Sequence, residues 1–281
     1  MIFLLILFTV VGVMYATRVA EYKKTDYYKQ TQIPYGSMRH DSGRTGEYWT
    51  YRNLEGLPGY KKFLFNIYIP KGNGETTEID VIMLHESGIY VLESKNYSGW
   101  IFGSENQQYW TQTLAAKGKS QKSRFFNPIM QNKGHIKWLS NFLEISSQSI
   151  FYSYIVFSER CTLKDIPVTS GNSFVINRYE LARSVRANAE TKGKILTEKA
   201  IDAMYARLYP LTQVQEAEKL SHVNDIRRKQ AEYENASEGM KCPRCGGTLV
   251  KRVTKRGENQ GREFLGCSNY PRCKYTKNIT K

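Results

Sequence analysis

The stretch EIDVIMLHESGIYVLESKN, residues 78–96, sets three charged side chains, Asp80, Glu93 and Lys95, in an otherwise apolar segment. Two runs of Ile, Val, Leu and Met flank HESG, the pattern of a hairpin whose strands meet at a polar, glycine-containing turn. A symmetric turn sets Leu84 opposite Ile89, and counting outward along the ladder brings Asp80 opposite Glu93. Opposed residues point to the same sheet face, and the period of two puts Lys95 on that face while Ser94 points away. The remaining positions are apolar on both sides, as in central strands covered on both faces. Two carboxylates facing each other across a ladder repel and lose solvation, so they require a cation. A salt-bridged cluster at a sheet end and a divalent-metal site both meet that requirement.

The surrounding composition narrows the function classes. With 24% charged and 41% hydrophobic residues in 281 positions, the chain suits one sizeable globular domain plus a small module. Forty-one Lys and Arg against 26 Asp and Glu leave a net charge of +15, which favours a polyanionic partner, nucleic acid or an acidic membrane surface.

Upstream, MIFLLILFTVVGVMYA carries no charge before Arg18. As a helix running on to Ala20, with Arg18 reaching toward the interface, it is long enough to predict a transmembrane anchor over 1–20. No positive charge precedes the apolar run, which argues against a cleaved signal. Arg18, Lys23, Lys24 and Lys29 follow it, so the positive-inside rule predicts a single-pass protein of the cell membrane with its body in the cytoplasm. Residues 21–39, polar and rich in Tyr and Lys, read as a juxtamembrane spacer.

Elements then follow in an alternating order. SGRTGEYWTYRNLEGL starts a helix that Ser42 or Thr45 could cap, KKFLFNIYIP is a strand ending at Pro70, and SGWIFG and QQYWTQ suggest short strands. NPIMQNKGHIKWLSNFLEI is a helix capped by Asn127 with Pro128 in its first turn. FYSYIVFS and SFVINR are further strands and YELARSVRA a helix. The sum is an α/β domain over 40–210 built around a mixed sheet flanked by helices. Residues 211–239, charged and lacking Pro and Gly between 212 and 238, read as an exposed helical linker.

Four of the five cysteines cluster at the end. Cys242 and Cys245 form a C-x2-C pair, Cys267 and Cys273 a second, with 21 residues between the pairs. In a cytoplasmic setting such a cluster points to metal rather than disulfides, and four thiolates suit a closed structural Zn²⁺ site over 240–281. From 241 onward eleven Lys or Arg stand against two Glu, and Phe264, Tyr270 and Tyr275 lie among them. That composition suits phosphate neutralisation and base stacking, although a protein-binding ribbon uses the same scaffold. Cys161 reads as a spectator. His40, His85, His135 and His222 are scattered, with no HxxxH or HExxH pairing.

The segment KCPRCGGTLVKRV with FLGCSNYPRC resembles the C-terminal zinc ribbons of type IA DNA topoisomerases, a resemblance that implies binding of single-stranded DNA. The motifs GRTGEYW, EIDVIML, YVLESKNYSGWIFG and NPIMQNKGHIKWL, over 40–155, resemble the nuclease-related domain (NERD) family of the PD-(D/E)xK superfamily. That resemblance implies a restriction-endonuclease-like fold and metal-dependent hydrolysis of phosphodiesters. It implies that Asp80 and Glu93 bind a catalytic Mg²⁺ or Mn²⁺, that Lys95 assists the attacking water, and that Glu47 and Gln131 are the acidic and glutamine members of the site. Ile79 stands where the superfamily's name has proline. A membrane-anchored, DNA-binding nuclease is therefore the leading expectation, and a non-catalytic tether for nucleic acid or protein at the membrane is the alternative.

Overall fold

The computed structural model describes residues 2–214 apart from 73, 117, 118 and 165, together with 219–220, 222–225, 227–228, 242–247, 249–254, 260–268 and 270–278; the side chains of 2–5, 116 and 119 lie outside the description. The chain forms two compact units, 1–215 and 216–281.

The first unit opens with α1 (Ile2–Lys24), α2 (Asp26–Thr31), α3 (Tyr35–His40) and α4 (Ser42–Leu54). The expected anchor over 1–20 is helical, but among the described residues no helix is long and apolar enough to cross a membrane. From Ile6 onward the run is too short before Arg18, Glu21, Lys23 and Lys24 dilute it, and the side chains before Ile6 lie outside the description. The expected spacer over 21–39 is instead part of the fold. Tyr22, Tyr27 and Met38 are buried in the core beside Tyr48 and Tyr51 of α4. The tyrosine rings supply the apolar area that the polar composition conceals. Asp41 caps α4 by accepting from Arg44 N at 3.0 Å, one residue ahead of the expected Ser42.

The central sheet has the order β1 (Lys61–Pro70), β2 (Thr76–His85), β3 (Gly88–Lys95), β7 (Phe151–Phe157), β9 (Ser173–Asn177). The first three strands are antiparallel, while β3–β7 and β7–β9 are parallel, so the sheet is mixed as expected. Strand β1 lies at the edge, where an unpaired backbone would invite another strand. Gln30 of α2 prevents this: its amide donates to Phe63 O at 2.7 Å and accepts from Phe65 N at 3.2 Å.

One face of the sheet carries α1–α4 and α6 (Arg178–Lys192), over Phe63, Phe65, Val81, Tyr90 and Leu92. The other face packs Leu64, Ile82, Leu84, Ile89 and Val91 against α5 (Pro128–Leu143) and α7 (Glu198–Leu208). Asn127 caps α5 through Ile129 N at 2.9 Å, as its position before Pro128 predicts.

A second sheet, β6 (Lys119–Phe126), β5 (Tyr109–Ala116), β4 (Gly99–Phe102), β8 (Cys161–Lys164), covers the rest of that face. Its inner side places Ile101, Trp110 and Cys161 against Ile129, Ile155 and Phe157. Gly103 makes this possible, because a Cβ there would lie 2.3 Å from the Trp110 ring.

In the second unit β10 (Leu249–Val253), β11 (Glu263–Cys267) and β12 (Thr276–Asn278) form an antiparallel sheet. Residues 219–220, 222–225 and 227–228 are helical, and the rest of the expected linker from 215 to 239 lies outside the described residues.

Candidate active site and zinc centre

The hairpin closes in the register read from the sequence, with Leu84 opposite Ile89 and Val81 opposite Leu92. Beyond that pair the two strands part. Ile79 packs on the same face as Ile82 although the period of two would oppose them, and in β1 Leu64 and Ile67 share a face in the same way. Both strands thus change face at Asn66 and Asp80, where Asn66 takes a positive φ of 51°. Released from the ladder, Asp80 Oδ2 accepts from the backbone N–H of Ser94 at 2.8 Å. This contact bends Asp80 toward the carboxyl end of β3, where Glu93 and Lys95 stand.

Glu93 is only 2% exposed, and each of its oxygens has a partner. Lys95 Nζ donates to Oε1 at 2.5 Å, and His135 Nε2 lies 3.2 Å from Oε2. Lys95 Nζ also reaches Gln131 Oε1 at 3.3 Å, so three of the five residues named from the sequence join in one chain of contacts, and Asp80 sits beside them. Gln131 and His135 are one turn apart on α5, facing the same strand end. His135 Nδ1 pairs with Thr77 Oγ1 at 2.8 Å, which fixes the ring. The sequence reading passed over His135; its signal is the four-residue spacing from Gln131, which puts both on one helix face. Lys133, on another face of α5, binds the buried Glu105 at 2.8 Å, and Asn132 donates to Val91 O at 2.9 Å, so the helix is held to both sheets.

Glu47 approaches from the opposite side on α4. Gly46 permits this approach, since a Cβ there would lie 2.7 Å from Ser94 Oγ. Tyr27 OH donates to Glu47 Oε2 at 3.2 Å. The strand end therefore collects Asp80 and Glu93 near the Lys95 ammonium, with Glu47 close enough to Asp80 to act on its charge.

The electrostatics follow from that imbalance. Burial pushes Glu47 up to about 7, and the nearby Glu78 charge adds to the shift. Burial, then the charges of Glu93 and Glu47, hold Asp80 well above the ordinary carboxylate range. Burial acts on Glu93 in the same direction, but the Lys95 charge and the His135 contact outweigh it and bring Glu93 down to about 2. Burial disfavours the Lys95 charge, yet Glu93 and Asp80 more than offset this and raise its pKa. The donor set is all hard oxygen, and the raised Asp80 and Glu47 carboxyls are groups that a divalent cation would help to ionise, which fits Mg²⁺ or Mn²⁺. Among the described residues, however, the acidic groups do not draw together as a set of three metal-ligating atoms within 4.8 Å.

The four cysteines do. Their Sγ atoms lie within 4.8 Å of one another, with Cys242–Cys273 at 3.7 Å and Cys245–Cys267 at 3.4 Å. Tetrahedral zinc with bonds of about 2.3 Å requires sulfur separations of roughly 3.8 Å, so this is a zinc-binding site. Leu249 and Tyr275 pack on it. Of the three aromatics singled out in the sequence, Tyr270 is exposed with Arg252 over its ring at 5.7 Å, Phe264 is half-buried, and Tyr275 belongs to the small core.

Comparison with known proteins agrees with this division. A model described as Nuclease-related domain matches residues 42–158, and one described as Topoisomerase DNA binding C4 zinc finger matches 239–281. An uncharacterized protein of Bacillus anthracis is 35% identical over 167 residues, covering 58% of this chain and 73% of its own. DNA topoisomerase 1 of Helicobacter pylori is 51% identical over 39 residues and that of Archaeoglobus fulgidus 56% over 36, covering 14% and 13% of this chain. The chain spans only 5% of either topoisomerase, so the likeness is confined to the ribbon. No solved structure matches the chain significantly. With its hairpin pocket in the matched region and its four thiolates in the ribbon, the chain belongs to the nuclease-related domain family and carries a topoisomerase-type C4 zinc ribbon.

Proposed function

We propose that the protein is a metal-dependent nuclease that hydrolyses DNA phosphodiester bonds, on a restriction-endonuclease-like core, and that its ribbon holds single-stranded DNA. The observation that carries this reading is the meeting of Asp80, Glu93 and Lys95 at one strand end, with Gln131 on the lysine and the Asp80 carboxyl held above its ordinary range by burial and by the neighbouring carboxylates. Asp80 and Glu93, with the carbonyl of Ser94, would hold Mg²⁺ or Mn²⁺, whose chemistry at such a site is to polarise phosphate and acidify water. Lys95 then orients the attacking water and offsets charge building on the phosphate. Gln131 steadies the ammonium, His135 steadies Glu93, and Glu47 completes the acidic wall.

A non-catalytic tether is the second reading. The engagement of both Glu93 oxygens by Lys95 and His135 favours it, since a closed ion network needs no metal. The expected location, the cell membrane with the body on the cytoplasmic side, rests on the exposed apolar side chains Ile6, Leu7, Phe8, Val10, Val11 and Val13 of α1. Recovery of the full chain in the carbonate-washed membrane fraction supports that location, and recovery in the supernatant removes it.

The deciding experiment compares the protein with its Asp80→Ala variant on labelled single- and double-stranded DNA and RNA, with Mg²⁺, with Mn²⁺ and without either. Cleavage that needs the ion and vanishes in the variant establishes the nuclease. Absence of cleavage from a folded, nucleic-acid-binding protein leaves the tether.

A further inference from the structure

The second sheet has two unlike sides. Strand register places Ile101, Trp110, Phe125 and Leu163 on the inner side, where they form the core described above. The outer side carries rows of a different character. One row runs Thr162, Trp100, Thr113, Lys122, and the next runs Lys164, Phe102, Thr111, Arg124. A third pairs Tyr109 with Phe126. Trp100 is 50% exposed, Phe102 41% and Phe126 43%, so three large rings on one sheet face meet solvent. Isolated exposed apolar residues need no explanation, but a contiguous set does.

Charge says what covers this set. Lys122, Arg124 and Lys164 are exposed and, among the described residues, have no carboxylate partner. No acidic residue occupies the outer side of the described rows. Arg124 lies over the Tyr109 ring at 5.3 Å, and Tyr109 meets Phe126 edge-on at 6.0 Å, which holds these rings upright rather than collapsed. Between Trp100 and Lys122, Thr113 is buried and its hydroxyl has no hydrogen-bond partner. An aromatic, cationic face with no acidic side chain among its described residues is complementary to unstacked bases on a phosphate backbone. A folded protein partner would more often present mixed charge, and a duplex hides its base planes.

We infer that the outer face of the sheet β6-β5-β4-β8 is a second binding site for single-stranded nucleic acid, separate from the zinc ribbon, in which Trp100, Phe102 and Phe126 stack bases and Lys122, Arg124 and Lys164 neutralise phosphates. Trp100 follows Lys95 by five residues, so its Cα lies within about 17 Å of that of the lysine. A strand held on this face is thereby within a few nucleotides of the Glu93 and Lys95 site. The inference concerns binding alone and stands whether or not the pocket hydrolyses anything.

The test is photocrosslinking of the full chain, without added divalent ion, to bromodeoxyuridine- and bromouridine-substituted single strands, followed by peptide mapping. Adducts on Trp100, Phe102 or Phe126 are expected, and the two arms tell DNA from RNA. Adducts confined to the ribbon overturn the inference. In parallel, Trp100→Ala, an exposed position, should weaken single-strand affinity about tenfold in fluorescence anisotropy. Lys122→Glu with Arg124→Glu should do the same and flatten the salt dependence. Unchanged affinity in both variants, or duplex competing as well as single strand against the wild type, overturns it too.

Discussion

Lys95 is the residue on which the proposed chemistry turns, because it is the only Lys or Arg among the described side chains that touches Glu93. Lys95→Ala should lower the proposed cleavage roughly 100-fold, the scale of losing one donor aimed at developing charge. DNA affinity should remain near wild type, and single-turnover cleavage beside anisotropy separates the two. The carboxylates make a prediction about stability. Glu47, at about 7 in the fold against 4.5 for its ordinary value, binds more protons folded than unfolded between those values. Its contribution is present at pH 4 and lost as pH rises through 7. Without divalent ion, Glu47→Gln should recover roughly 2 kcal/mol at pH 8 relative to pH 4.5, measured by urea denaturation. Glu93 has the opposite sign: depressed to about 2, it stabilises above 4.5 and loses that contribution as pH falls toward 2.

At the scale of elements, the pocket depends on how close α4 comes to the end of β3. Gly46→Ala would place a methyl 2.7 Å from Ser94 Oγ and 3.2 Å from Asn96 Cβ, so Ser94 must turn and the helix and the end of β3 must separate slightly. The expected cost is about 1–3 kcal/mol of stability. Displacing Glu47 should also weaken Mn²⁺ binding, followed by calorimetry on the folded variant. Gly134→Ala, on α5, where an added Cβ meets nothing within 4 Å, is the control that leaves both nearly unchanged. The kink at Asn66 and Asp80 belongs to this scale as well, because two neighbouring strands must switch faces together for Asp80 to leave the ladder and reach Ser94.

For the whole molecule, each unit has its own core, the first built on apolar sheets and the second on four thiolates. Zinc removal by a chelator should therefore abolish the folded ribbon and its share of DNA affinity while the thermal transition of the first unit stays in place. Calorimetry with and without chelator, with DNA binding read over a salt series, checks this; a single transition lost on chelation would mean that the units fold as one. Much of this organisation was legible in the chain. The hairpin register, the strand at 61–70, the Asn127 cap and the thiolate set all rest on local periodicity and short spacings, which the sequence carries directly. The tyrosines of 21–39 read as a spacer from composition because their burial depends on partners such as Tyr48 and Phe65, more than ten residues away. The apolar run at 1–20 suggested a span that the described helix does not supply. His135 on Glu93, the face switch at Asp80, the approach of α4 through Gly46 and the aromatic outer sheet were decided by tertiary structure alone. Each joins residues whose proximity comes from packing of separate elements, and no local rule of period or spacing encodes which helix will cover which strand end.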